Sequence, residues 1–244
     1  MKIPLQQRRE SRPVAVRDVI IGGDAKISVQ TMVKQPTGDV DAVLDEIQRT
    51  VSVSVEDLGE REQHVLGELD AWRHAKEQEP FQCDLTRVGI PSRDAIEPFG
   101  EIVSASPLPV VADIHFHAKW ALAALEKGCH KLRINPGNIG DPGLVREIAQ
   151  ESKRRHVPLR VGVNAGSLQK DLLEKYGPHS PQALAESAMR SVQILEEENV
   201  QDLVVSLKAN SAKMTIDAYR IVARQCDYPL HVGVTEAGCG RAAV

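Results

Sequence analysis

The stretch LPVVADIHFHAKWALAALEKGCHKLRINPG, residues 108–137, contains two short apolar runs separated by an amphipathic segment. Apolar runs bounded by polar or glycine residues, alternating with longer amphipathic stretches, are typical of βα units. We therefore predict strands over 108–115 and 130–137 with a helix between them. Val, Ile and Leu supply most of the apolar positions, as expected for parallel strands that are buried on both faces.

The same alternation extends to both sides of this unit. Further strands, separated by helix-like stretches, are predicted at 26–32, 84–90, 158–166, 202–209 and 228–238. These strand candidates favour an α/β fold, a TIM-type (β/α) barrel that is incomplete at its C-terminal end. A doubly wound sheet ranks second, because no glycine-rich phosphate loop follows the first strand. The segment VRDVIIGG, residues 16–23, is compatible with a small hairpin that closes the floor of the barrel.

The chain length fits one large domain. Of its 244 residues, 42% are hydrophobic and 26% are charged, which is typical of a globular protein that buries a full core. We expect a single barrel domain over residues 1–244. Residues 50–83 are polar and acidic and interrupt the alternation of apolar and amphipathic stretches, which indicates an insertion between the first helix and the second strand. Such a connection emerges at the N-terminal face of a barrel, opposite the usual active-site face.

Overall charge and targeting signals predict a cytoplasmic protein that binds neither nucleic acid nor a membrane. The formal net charge is -4 and the pI is near 6.1, so no global field attracts polyanions. No apolar run approaches the roughly 20 residues that span a bilayer, and the N-terminus lacks a signal-peptide core. The cysteines lie far apart without a CxxC pair: Cys83, Cys129, Cys226 and Cys239. We expect buried thiols and predict neither a metal site nor a disulfide framework.

Polar side chains lie at the predicted strand ends, where the active sites of (β/α) barrels are found. The candidates for substrate binding are Arg87, Asp113, Arg133, Asn135, Arg160, Asn164, Ser206 and Lys208. Singly, each has a structural explanation, such as pairing with a carboxylate or capping a turn. Three arginines and a lysine on four strands are nevertheless costly to bury unless anions compensate them. A phosphate or diphosphate ligand fits this requirement, because guanidinium groups match its oxygens bidentately.

Two further residues are candidate catalytic groups. His115 ends the strand candidate 108–115, and Glu236 lies near the end of the candidate 228–238. A carboxylate or an imidazole at the rim of a barrel can transfer protons once neighbouring cations tune its pKa. The alternative for a lone histidine is a structural, hydrogen-bonded role. The residues alone therefore predict an anion-binding barrel with two candidates for proton transfer.

Several phrases of the chain closely resemble the 4-hydroxy-3-methylbut-2-en-1-yl diphosphate synthases. They are IGGDAKISVQTM (21–32), VADIHFHAKWALAALEKGCHKLRINPGNIG (111–140), LRVGVNAGSL (159–168), SLKAN (206–210) and PLHVGVTEAG (229–238). The resemblance covers about residues 12–49 and 84–238, and an ordered series of this length is far more specific than a short motif. One small difference is VQTM where the family usually has VQSM.

The resemblance implies a function in the non-mevalonate pathway of isoprenoid biosynthesis. The family reductively opens the ring of 2-C-methyl-D-erythritol 2,4-cyclodiphosphate, with two electrons from flavodoxin or ferredoxin. These electrons pass through a [4Fe-4S] cluster that three cysteines and a glutamate hold in a separate C-terminal domain. Matching residues imply that Arg87, Arg133, Arg160 and Lys208 occupy anion-binding positions. They also imply that the other pocket positions are Asp113, His115, Asn135, Asn164, Ser206 and Glu236.

The sequence departs from the family after VTEAG, where the family continues into an eighth βα unit and the cluster domain. This chain continues only to CGRAAV, so we expect the iron–sulfur domain and the cluster ligands to be absent from it. Cys239 lacks the cysteine spacing of a cluster site. A barrel without its last strand leaves unpaired edges, which a cluster-bearing chain or a second copy in a homodimer would cover.

Three hypotheses about function follow from these observations. The first is a reductase subunit that works with a cluster-bearing chain. The second is a noncatalytic or vestigial diphosphate-binding barrel. The third, which has the least support from the sequence, is a phosphate-using barrel enzyme of the pterin-synthase type.

Overall fold

The computed structural model describes residues 9–51, 82–114, 117–209 and 211–233. Within these ranges, the strands are β1 (Val14–Val16), β2 (Val19–Ile21), β3 (Gln30–Met32), β4 (Leu85–Gly89), β5 (Val110–Asp113), β6 (Lys131–Ile134), β7 (Leu159–Asn164) and β8 (Leu203–Lys208). The helices are α1 (Val40–Val51), α2 (Ile96–Ala105), α3 (Ala118–Glu126), α4 (Pro136–Ile139), α5 (Pro142–Arg155), α6 (Lys170–Tyr176), α7 (Pro181–Glu197) and α8 (Ala212–Val222). Short 3-10 turns lie at Arg93–Ala95 and Ala165–Ser167.

Within the described residues, the strands β3 to β8 form one parallel sheet in sequence order, which confirms the predicted (β/α) barrel architecture. The predicted strands 84–90, 108–115, 130–137, 158–166 and 202–209 are all present, each shorter than expected by a residue or more at its ends. Beyond β8, Leu230 forms an isolated parallel bridge with Val205. The segment around Leu230 therefore lies next to β8 in the sheet. Residues 234–238 of the predicted strand 228–238 lie outside the described residues. In the described part of this strand, the bridge at Leu230 is the pairing found.

The first predicted strand, 26–32, is shorter than expected. Only Gln30–Met32 pair with β4, in the register that places Met32 opposite Arg87. Ile27 is 81% exposed, so no neighbouring layer buries this end of the segment. The insertion predicted over 50–83 lies mostly in residues 52–81, outside the described ranges.

The core fills the space between the outer face of the sheet and the helices. Because side chains alternate between the two faces of a strand, every second residue points outward to the helices. The buried residues at these positions are Val88, Val110, Ala112, Leu132, Ile134, Leu159, Val161, Val163, Leu203, Val205 and Leu207. None of the helices in the described ranges combines the length and the apolar character needed to cross a membrane.

Side-chain caps fix where the helices begin. The carboxylate of Asp141 accepts from the backbone N–H of Gly143 at 2.8 Å, and the hydroxyls of Ser180 and Ser211 cap α7 and α8 in the same way. Proline follows the cap of α5 and α7, where its missing N–H costs no helical hydrogen bond. α8 begins four residues after β8 ends at Lys208, whereas α5 and α7 follow the short helices α4 and α6.

The expected hairpin is present at the opposite end. Strands β1 and β2 pair antiparallel, with Val16 opposite Val19. Val16 is fully buried and clusters with Leu85 and Val111, which lie at the beginning of β4 and β5. The hairpin therefore closes the floor of the barrel with apolar side chains, while the polar groups lie above it.

Candidate functional site

The inner face of the curled sheet carries charged side chains where (β/α) barrels usually carry branched aliphatic ones. Alternation along each strand places these residues inward, because their neighbours in sequence pack on the helices. They are Arg87, Asp113, Lys131, Arg133, Arg160 and Lys208. All except Arg87 and Lys208 are less than 5% exposed. So much buried charge requires compensation, and the contacts show where it is incomplete.

Asp113 lies between two of the arginines. Its Oδ1 is 3.2 Å from Nη1 of Arg133, and its Oδ2 is 3.5 Å from Nε of Arg87. The Asp113 side chain is 2% exposed, so these pairs are screened little by water. One carboxylate thus orients guanidinium groups from the two strands that flank it.

Arg160 has no comparable partner. It is fully buried, and its Nε and Nη1 atoms have no hydrogen-bond acceptor within the described ranges. Burial, together with the nearby Arg87 and Arg133, lowers the pKa of Arg160 to about 9. A guanidinium group still keeps its proton under physiological conditions. The side chain is therefore a buried cation whose desolvation Asp113 offsets only in part, and an anion would offset the rest.

A glycine makes room for the second arginine. Gly162 faces inward on β7, and a Cβ atom built there would lie 3.1 Å from Cζ of Arg133 and clash with its Nε. Nη2 of Arg133 also donates to the carbonyl of Gly162 at 3.4 Å. The guanidinium group of Arg133 thus lies flat against the backbone of the next strand, in a position that a side chain would occupy.

We expect Gly162→Ala to displace Arg133 and to weaken anion binding. Overpacking of a buried site costs about 1–3 kcal/mol, and Arg133 cannot move without leaving Asp113. Binding of inorganic pyrophosphate, measured by calorimetry, should weaken by about tenfold or more. Gly89→Ala is the matched control, because Gly89 is also an inward strand glycine but has no atom within 4 Å of a Cβ built there. Equal affinities of the two variants would contradict this role of Gly162.

The remaining predicted binding residues lie at the same rim. Lys208 ends β8 beside Asn164 of β7, and burial with the nearby Arg87 lowers the pKa of Lys208 to about 8. Asn135 donates from Nδ2 to the hydroxyl of Ser167 at 3.2 Å. The hydroxyl of Ser206 donates to the carbonyl of Val161 at 3.1 Å, so its hydrogen bond links two strands of the sheet and its proton is not available to a ligand. The predicted catalytic residues His115 and Glu236 lie outside the described residues, and their roles stay predictions.

Two inward residues were not predicted from the sequence. Lys131 is 1% exposed, and burial beside Arg160 lowers its pKa to about 7. Burial and surrounding cations, Arg160 first among them, lower the pKa of His231 to about 2. The spacing of Lys131, two residues before Arg133, could have indicated that both point to the same face. His231 follows the bridged residue Leu230 and so points inward by the same alternation.

A cavity of about 600 Å³ opens into the barrel between β3 and the segment 229–233. Its charged and polar lining includes Gln30, Arg87, Lys131, Lys208 and His231. Oε1 of Gln30 is buried and has no hydrogen-bond donor among the described residues. The cavity is therefore large enough for a small phosphorylated molecule and is lined by groups that bind anions.

The thiols of the described ranges do not fit a metal centre. No group of three or more His, Cys, Asp or Glu side chains there could hold a metal ion. Cys129 is buried, and desolvation raises the pKa of its thiol to about 12. Because a thiol binds metal as the thiolate, this cysteine is a poor ligand. Cys129 is buried as expected, but Cys83 and Cys226 are only half-buried, and Cys239 lies outside the described residues.

The lowered pKa values predict how stability depends on pH. Each of these groups binds a proton more weakly in the folded chain than in the unfolded chain, so stability rises with pH between the two pKa values. That window runs from about 7 to 10.5 for Lys131, from about 8 to 10.5 for Lys208 and from about 2 to 6.5 for His231. We expect the Tm of the ligand-free chain to rise from pH 6 to pH 9. Thermal melts without multivalent anions would check this, and a falling Tm would contradict it.

Comparison with known proteins places the chain in a family. The GcpE TIM-barrel domain family matches residues 69–244. The chain is 43% identical over 234 residues to the 4-hydroxy-3-methylbut-2-en-1-yl diphosphate synthase (flavodoxin) of Aquifex aeolicus, covering 96% of this chain and 58% of that protein. It is 42% identical over 236 residues to the protein of the same name from Frankia casuarinae, covering 96% and 54%. The chain thus spans little more than half the length of these curated relatives.

Solved structures support the fold independently. The chain superposes on 3-dehydroquinate dehydratase from Geobacillus kaustophilus HTA426 with a TM-score of 0.57, over 95% of this chain and 82% of that one. The sequence identity is 13%, so the likeness concerns the barrel alone. The family match covers most of the chain and includes the strands that carry the charged inner face. The chain therefore belongs to the GcpE TIM-barrel domain family.

Proposed function

We propose that this chain is the substrate-binding barrel of a 4-hydroxy-3-methylbut-2-en-1-yl diphosphate synthase and binds 2-C-methyl-D-erythritol 2,4-cyclodiphosphate. The observation that carries the proposal is the charge imbalance of the inner face. The described inward residues include one carboxylate, that of Asp113, and five cations: Arg87, Lys131, Arg133, Arg160 and Lys208. A doubly phosphorylated ligand would supply the missing negative charge.

Each group has a part in this binding. Asp113 holds Arg87 and Arg133 in fixed orientations, so both guanidinium groups are positioned before the ligand arrives. Nε and Nη1 of Arg160 have no acceptor among the described residues and are available to a ligand, and Lys208 and Lys131 line the cavity. Asn135 and Asn164 would orient the ligand through neutral hydrogen bonds. All of these residues except Lys131 were predicted from the sequence as substrate-binding residues.

Arg160 imposes a condition on how the ligand binds. It lies opposite Val204, which lines the cavity, but it has no exposed surface itself. A phosphoryl group would therefore reach Arg160 only after side chains between them change rotamer. Such side-chain adjustments are common when ligands bind, and they leave the backbone in place.

The redox half of the reaction requires groups beyond those described. We propose that two electrons reach the substrate from flavodoxin or ferredoxin through a [4Fe-4S] cluster held by another domain or chain, in the cytoplasm. The residues described offer no fitting ligand set for such a cluster. This barrel would bind and orient the cyclic diphosphate, exclude water and, through His115 and Glu236, move protons. A cluster-bearing chain or a second copy is the proposed partner.

The first experiment separates binding from turnover. Because a ligand that binds only the folded state stabilises it, the cyclodiphosphate at about a hundred times its Kd should raise stability by about 2.7 kcal/mol. Thermal melts with the cyclodiphosphate, and with methylerythritol lacking phosphate as the control, would detect this. If the cyclodiphosphate shifts the Tm no more than the control, the proposal fails.

Turnover distinguishes a reductase subunit from the noncatalytic barrel. The chain would be mixed anaerobically with the separately produced cluster domain of a relative and a chemical reductant. Consumption of the cyclodiphosphate supports the reductase. Binding without consumption, when an intact relative turns over under the same conditions, supports the noncatalytic alternative.

A further inference from the structure

Lys131 differs from the other inward cations in its depth. It is the first residue of β6, two residues before Arg133, so it lies on the same face and one layer nearer the floor. The residue is 1% exposed and lines the cavity of about 600 Å³. No carboxylate of the described ranges pairs with it, whereas buried lysines are ordinarily paired. Its amine therefore contacts the cavity without a counter-ion.

The charged groups around this amine are mostly cations. The groups on the inner face that could influence it are Arg87, Asp113, Arg133, Arg160, Lys208 and His231. Asp113 is engaged by Arg87 and Arg133, so its charge is largely compensated. Burial and Arg160 lower the pKa of Lys131 to about 7. Without a bound anion, the amine therefore holds its proton less tightly than an exposed lysine.

We propose that Lys131 forms a second anion-binding position of the barrel, one layer below Arg133, which binds an anion together with a proton. The inference rests on the proposed anion-binding function of the same cavity. A nearby anion favours the ammonium form, so the amine regains its proton when the anion arrives. The second phosphoryl group of a diphosphate suits this position, because Lys208 at the strand end and Lys131 below it line one cavity.

The test measures anion affinity as a function of pH in Lys131→Met. Sulfate is the probe, because it stays a dianion from pH 6 to pH 9, and its affinity is obtained from the concentration dependence of Tm at constant ionic strength. Wild-type affinity should fall by about tenfold in total between pH 6 and pH 9 through the linked proton of Lys131. Lys131→Met should bind about tenfold more weakly than wild type at pH 6 and about equally at pH 9.

Two further variants separate charge from structure. Lys131→Arg keeps a fixed charge, so it should bind sulfate at pH 6 like wild type and lose this part of the pH dependence. Lys26→Met is the matched control, because Lys26 lines the same cavity but is exposed, and its curve should run parallel to that of wild type. Lys208 keeps its own proton linkage in every variant, so the difference between curves isolates Lys131.

The outcomes distinguish this inference from the function on which it rests. If the Lys131→Met and wild-type curves are parallel at all pH values, the role of Lys131 is refuted while the anion pocket stands. If wild type binds neither sulfate nor pyrophosphate, both proposals fail. Should Lys131→Met not fold, Lys131→Arg decides the question, since a pH dependence unchanged from wild type would also refute the role.

Discussion

Replacing Asp113 by Asn should lower the stability of the ligand-free chain by about 3–5 kcal/mol, the usual loss when one partner of a buried ion pair is removed. The amide has the shape of the carboxylate but leaves Arg87 and Arg133 without their shared counter-ion. For a chain of this length, each kcal/mol corresponds to roughly 2–4 °C in Tm. We therefore expect a decrease of about 6–20 °C in a thermal melt.

Two variants test the explanation. Asp217→Asn removes an exposed carboxylate that pairs with Lys213 on α8, and it should leave the Tm almost unchanged. The double variant Asp113→Asn with Arg133→Met should be more stable than Asp113→Asn alone, because it removes one of the two buried charges that Asp113 neutralises. A double variant that is less stable than the single one would show that Arg133 contributes mainly through packing.

Anions should partly reverse the Asp113→Asn defect. Sulfate or pyrophosphate bound among the arginines would replace the lost charge, so the Tm difference from wild type should narrow as anion is added. If the Tm difference between Asp113→Asn and wild type stays constant, the added anions do not replace the charge of Asp113. The inner face would then be a structural ion cluster, and the proposed diphosphate function would lose its main support.

The sequence was sufficient to predict the arrangement of strands and most of the charged inner face. Arginines within apolar runs, as in LTRVG and LRVGVN, can only point to the side away from the helices, so their convergence follows from alternation. Strand ends were placed too far out, because polar residues such as Asn135 leave the sheet to begin the next helix. The apolar content of a segment alone does not show at which residue its strand ends.

Two features of the site depend on register and could not be read from the chain. Gly162 is informative only because β6 and β7 align Arg133 opposite Arg160, so that the guanidinium group of Arg133 reaches Gly162 two residues further along β7. A glycine in a strand does not show which side chain covers it. Lys131 resembles a solvated lysine at the start of a strand, and only the folded chain shows that it is 1% exposed. Burial of the barrel floor is a tertiary effect that local sequence does not encode.

Replacing Arg160 by Met should change stability and binding in opposite directions. The substitution removes a fully buried cation whose Nε and Nη1 have no partner within the described ranges, so the Tm of the ligand-free chain should rise. Affinity for a diphosphate should fall, because removing a buried charge partner of a ligand costs about 2–5 kcal/mol, or about 30-fold to several thousand-fold in Kd. Thermal melts and calorimetry with inorganic pyrophosphate measure the two effects separately.

This opposition separates a binding residue from a structural one. A structural arginine would lower stability when replaced, and any loss of affinity would follow from that damage. Arg160→Lys keeps the charge without the planar fork, so its affinity should lie between those of wild type and Arg160→Met. Arg146→Met on α5 is the matched control, because Arg146 is exposed and pairs with Glu198 on the outer surface, and its pyrophosphate affinity should equal that of wild type. A lower Tm of Arg160→Met with unchanged pyrophosphate affinity would contradict this role. The charge of Arg160 would then be compensated within the fold, and the anion would have to bind through Arg87 and Lys208 alone.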